Sequence, residues 1–158
     1  MHYRFLLLMA AVLHLPALAG RATPSLANLP YASIHNTCQQ KGFASFDRKD
    51  GASYTHWICN GEHIISFERA SPGTNNDAVI IVDQLNLPRL PRGHDVIFHL
   101  MCSSSLYPNQ PVIAIGRWKK VKDGSEVRPI THAWRFDLQN RKIEPIPTRG
   151  MECSIDEP

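Results

Sequence analysis

The pattern of hydrophobic and polar positions is densest between Tyr54 and Arg69, where two runs rich in β-branched and aromatic residues flank Asn60-Gly61. Asn-Gly between such runs is a strong local signal for a tight hairpin, because both residues accept positive φ with little strain. With Asn60 and Gly61 as a two-residue loop, Cys59 faces Glu62, Ile58 faces His63 and His56 faces Ile65. One face then carries Tyr54, His56, Ile58, His63, Ile65 and Phe67, and the other carries Trp57, Cys59, Glu62 and Ile64. A three-residue loop closed by Gly61 would shift the pairing and mix these sets, so the pattern alone leaves two registers open.

Before this hairpin, Pro30 followed by Tyr31, Ile34 and Cys38 at i, i+3 and i+7, with Gly42 beyond, predicts one short helix. Cys38 would lie on its buried stripe and Gly42 at its stop. Phe43 to Ser53 has no periodicity and holds the turn signal Asp47 to Gly51, while Ser71 to Asp77 is a loop by composition. Ala78 to Val82 is a continuous apolar run, as expected of a strand covered on both sides. His94 to Cys102 alternates as a strand, and Val112 to Trp118 is another that turns basic at its exit. Ile130 to Leu138 and Lys142 to Ile146 read as a second hairpin, whose returning arm is an edge strand because of Pro145 and Pro147. These elements predict an α+β, mainly β fold, with about seven short antiparallel strands in a twisted sheet or small barrel and one short N-terminal helix.

The opening residues change the picture of where this fold resides. A positive start at His2 and Arg4, an apolar stretch from Phe5 to Leu15 and the small-x-small end Ala17-Leu18-Ala19 form a signal-peptide pattern over residues 1–19. Residues 20–158 are then a single exported domain, periplasmic or secreted, without a membrane span in its mature form. Losing Arg4 with the leader lowers Lys plus Arg from 17 to 16 against 14 Asp plus Glu. So weak a balance, with one basic run from Arg117 to Lys122, excludes the concentrated basic face of a nucleic-acid binder.

Export also decides how the cysteines read. Four of them in an oxidising compartment imply two disulfides among three connectivities. Cys38–Cys59 and Cys102–Cys153 are favoured, because they tie each half of the chain to its own neighbour. The absence of a C-x-x-C removes thioredoxin-like and zinc-knuckle readings.

Candidate chemistry is sparse. In the two-residue register His56 and His63 share a face at a diagonal position, near enough for both rings to approach one metal ion, with His94, His99 or His132 as a third ligand. Glu62, Glu68 and Asp95 are carboxylates that a glycosidase-like pair would require, but nothing in the pattern selects them. Ser103-Ser104-Ser105 lacks a nucleophile elbow, and paired cysteines leave no thiolate, so no catalytic residue is assigned and a non-enzymatic role is expected. No cofactor is expected either. Leu87 to Gly93 contains Pro88 and Pro91, which cannot pair within a sheet, so it should run extended over the surface and project Arg89 and Arg92 as candidate binding residues.

The segments Ala133-Trp134-Arg135-Phe136-Asp137 and Ile143-Glu144-Pro145-Ile146-Pro147, followed by Cys153, resemble the ending of small exported proteobacterial proteins of unknown function. Trp57-Ile58-Cys59-Asn60-Gly61 is similar to the hairpin of periplasmic lysozyme inhibitors of the membrane-bound C type. The Ser-Gly-x-Lys/Arg-Tyr loop of that family is missing, and no functional residue carries over. The expectation is therefore an exported binding module for a protein or envelope component, such as an inhibitor or immunity-type protein. The alternative is a periplasmic metal-binding protein using His56 and His63.

Overall fold

The computed structural model describes residues 24–47, 51–71 and 79–156, so the expected signal peptide over 1–19 and the expected turn and loop positions 48–50 and 72–78 lie outside the described residues. A 3-10 turn, Leu26–Asn28, leads to α1 (Tyr31–Thr37) and then to β1 (Cys38–Asp47), β2 (Ala52–Cys59), β3 (Glu62–Ala70) and β4 (Val79–Asn86). After a surface loop come β5 (Asp95–Ile97), β6 (Cys102–Ser104), β7 (Val112–Val121), β8 (Gly124–Asp137), β9 (Lys142–Ile146) and β10 (Met151–Asp156).

The ten strands form two antiparallel sheets instead of a single sheet or a closed barrel. One has the order β1-β2-β3-β4; the other has the order β5-β7-β8-β10-β6, with β9 paired to β8. The count of about seven was low for physical reasons. β1 is rich in Gln, Lys and Gly and shows no alternation, yet β2 offers it a ladder from Cys38↔Cys59 to Asp47↔Ala52. The chain from His94 to Cys102, expected as one strand, breaks into β5, a 3-10 turn at His99–Met101 and β6, which join different strands. β4 is an edge strand and only half-buried, so the apolar run at its start is not covered on both sides.

The helix is also shorter than expected. It stops at Thr37, and Cys38 opens β1 in extended conformation. Gly42 is not a helix stop. It lies inside β1, where a Cβ would stand 2.5 Å from Cζ of Phe98, so the absent side chain lets that ring lie on the sheet.

The Asn60-Gly61 turn resolves the register in favour of the two-residue loop. Asn60 and Gly61 have φ of 54° and 85°, and the ladder pairs Cys59↔Glu62, Ile58↔His63 and His56↔Ile65. The inner face of this hairpin packs Tyr54, Ile65 and Phe67 against Ile113, Ile115, Trp134 and Phe136 of the second sheet. Tyr54, Phe46 and Phe136 form a triangle of rings, with centroids 5.1 Å (Tyr54–Phe46), 5.0 Å (Tyr54–Phe136) and 4.6 Å (Phe46–Phe136) apart. On the outer face, Trp57, Ile64 and Cys59 are covered by Leu26 and by Ile34 of α1. Both favoured disulfides are present, Cys38–Cys59 pinning β1 to the hairpin and Cys102–Cys153 pinning β6 to β10. Among the described residues no helix is long and apolar enough to cross a membrane.

Candidate functional site

Alternation along β2 and β3 sends two polar clusters to opposite sides of one hairpin. On the outer side, Glu68 is fully buried and sits among hydroxyls. Thr55 donates to its carboxylate at 3.0 Å, Ser53 at 3.5 Å, and Ser66 donates as well, while Trp57 donates its indole N–H to Ser66 at 2.8 Å. Burial raises the pKa of Glu68 above the usual carboxyl range, outweighing the hydroxyls of Ser66, Thr55, Ser53 and Tyr31 that favour the charged form.

On the inner side, at the turn end of the hairpin, Nε2 of His56 and Nδ1 of His63 face each other at 2.9 Å. The diagonal placement follows directly from the register, His56↔Ile65 beside Ile58↔His63. Burial pushes His56 down to about 4, and repulsion from His63 and Lys41 acts in the same direction. His63 is half-buried and is lowered by the same burial and by Lys41. Both rings are therefore neutral at physiological pH, one donating to the other.

This pair lies in a cleft of about 380 Å³ lined by residues of both sheets. The first sheet contributes Lys41 and Ile58 with the two histidines; the second contributes β5, Phe98, Met101 and Trp118. The surface loop closes one side. Its Leu87 N–H bonds to the His63 carbonyl at 2.9 Å, and Leu90 reaches the cleft while Pro88 and Arg89 line a neighbouring hollow of about 440 Å³ that also contains His63. Arg89 and Arg92 are exposed, and Nε of Arg117 lies 3.7 Å from where a Gly93 Cβ would be. Two regions that look unrelated in sequence, the histidine face and the Pro-Arg loop, thus flank one opening, with the basic end of β7 beside them.

The other candidates scatter. His94 lies 3.4 Å from the Arg92 carbonyl, His99 lies 3.3 Å from the Tyr54 hydroxyl, and His132 stacks on Trp134. None of them joins the histidine pair, and among the described residues no group of three or more His, Cys, Asp and Glu side chains could hold a metal. Glu68 and Asp95 lie on opposite sides of the hairpin, so they form no carboxylate pair.

No family model, curated protein or solved structure matches this chain. The site must therefore be read from its own residues. Sequence reasoning missed Lys41, Met101 and Trp118 as partners of the histidines, since two other strands, β1 and β7, and the 3-10 turn at His99–Met101 deliver them. It also missed the network around Glu68, although Ser53, Thr55, Ser66 and Glu68 share one face as soon as the hairpin register is fixed.

Proposed function

We propose that this protein is an exported, non-enzymatic binding module of the inhibitor or immunity type, and that its partner docks at the cleft between the sheets. The observation that supports the reading is the convergence of exposed recognition elements on one opening. Leu90 and His63 each border both hollows, so a side chain inserted there meets the loop and the histidine face together. Apolar walls from Ile58, Phe98, Met101 and Trp118 suit an aliphatic or aromatic anchor. Lys41 and Arg89 in the two hollows, with exposed Arg92 farther along the same loop and Arg117 beside Gly93, favour a partner with carboxylates flanking that anchor. An exported address suits a chain whose cysteines are all paired.

The test is capture of partners from an envelope extract by the mature protein and by two charge variants. Lys41→Glu and the double variant Arg89→Ala with Arg92→Ala should melt within a few degrees of wild type and capture the partner at least about tenfold less well. Undiminished capture by both would move the docking surface away from this cleft.

A further inference from the structure

We propose that the facing rings of His56 and His63, together with the thioether of Met101, bind a single Cu(I) ion in the inter-sheet cleft that all three line. The histidine geometry is imposed by the fold, since adjacent antiparallel strands hold the rings at a fixed diagonal and the Cys38–Cys59 disulfide pins the same turn end of the hairpin to β1. Their nitrogens already point at one another across 2.9 Å. A metal held by two imidazoles at bond lengths near 2.0 Å needs those nitrogens roughly half an ångström or more farther apart. His56 is only 6% exposed, with the Phe98 ring 6.0 Å from its own, and stays in place. His63 is half-buried beside an open cleft of about 380 Å³ and is the ring that swings. No net proton need be released. Whichever ring donates in the metal-free pair moves its proton to its other nitrogen, leaving both facing nitrogens as ligands.

The choice of ion follows from the donors. Two imidazoles and a thioether form a soft set, and a thioether selects Cu(I) over hard divalent cations. Asp95 lines the cleft, but among the described residues no His, Cys, Asp or Glu joins the pair to complete the usual tetrahedral zinc set. The Lys41 ammonium acts on both rings, and its repulsion on a monovalent ion is half that on a divalent one. Ile58, Phe98 and Trp118 supply apolar walls, which suit an ion of low charge. All four cysteines are in disulfides, so no thiolate competes for the ion.

The experiment is anaerobic titration of the disulfide-intact mature protein with Cu(I), in competition with a chromophoric Cu(I) chelator and with a non-thiol reductant. Wild type should bind one equivalent. His63→Ala and Met101→Leu should each bind at least about tenfold more weakly, while the remote variant His94→Ala should match wild type. Zn(II) should bind wild type more weakly than Cu(I) and show no dependence on Met101. Failure of wild type to withdraw Cu(I) from the chelator would overturn the proposal, as would unchanged affinity in either ligand variant. Melting curves of the variants separate lost ligation from lost fold, since both substituted side chains lie at the cleft wall.

Discussion

The two sides of the β2–β3 hairpin carry polar clusters of similar size and opposite fate. On the outer side, the Glu68 carboxylate accepts from three hydroxyls, and Leu26 and α1 close over the neighbouring Trp57 and Ile64. On the inner side, the His56–His63 contact uses one nitrogen of each ring, and the surface above it is a cleft. The same strands and the same alternation produced both. What separates them is satisfaction of polar atoms and cover: a saturated, sealed network specifies packing, while an incompletely partnered pair beside open space is available to a ligand.

If that distinction is right, the largest effects on stability belong to the outer side. Trp57 is fully buried, contacts α1 and donates to Ser66, so Trp57→Ala should cost about 3–5 kcal/mol in denaturant unfolding. A cost near that of an ordinary surface substitution would dissolve the contrast between the faces.

Next in size is the pH dependence of the sealed carboxylate. Burial holds the folded pKa of Glu68 above the ordinary glutamate value of 4.5, so the native state holds this proton longer than the unfolded chain. The associated stability is complete below about 4.5 and is lost as pH rises through the raised value. Glu68→Gln removes that pH dependence. From pH 5 to pH 8 the melting temperature of wild type should fall relative to the variant by at least about 2 °C, roughly the effect of half a kcal/mol in a domain of this size. Parallel profiles would show that Glu68 is not held protonated by its surroundings.

The inner side should behave in the opposite way. His63→Ala removes a half-buried ring at the cleft wall and should change stability by less than about 1 kcal/mol while weakening Cu(I) binding at least about tenfold. Smaller still is the expected effect of Arg89→Ala with Arg92→Ala on unfolding, within roughly half a kcal/mol, because both side chains are exposed. A double variant that unfolds would make the loop a structural brace.

Some of this contrast was legible in the sequence. The turn signal at Asn60-Gly61 is local and strong, so the hairpin, its inward face and the diagonal histidines followed from a handful of adjacent residues once the loop length was fixed. The disulfide pairing followed from the export pattern and from proximity along the chain. β1 was invisible because its polar residues and Gly42 carry no period of their own; β2 imposes the strand through its free ladder. The break at Phe98 was invisible too, since the reason for it, a ring laid over Gly42, lies far away in sequence. The cleft was the least legible feature. Lys41, Met101 and Trp118 share no pattern with the histidines, and only the packing of the two sheets brings them to one cleft.

The most direct test of the account places a photo-reactive side chain on each side of the hairpin. Leu90 borders the inner cleft, whereas Phe43 is 57% exposed and pairs with Thr55, whose side chain bonds Glu68 on the outer side. Irradiation of the two variants in the same envelope extract should give a discrete cross-linked partner from position 90, competed away by excess unlabelled wild-type protein, and none from position 43. The same competed adduct from position 43, with none from position 90, would contradict the claim that the inner cleft is the working face of this protein.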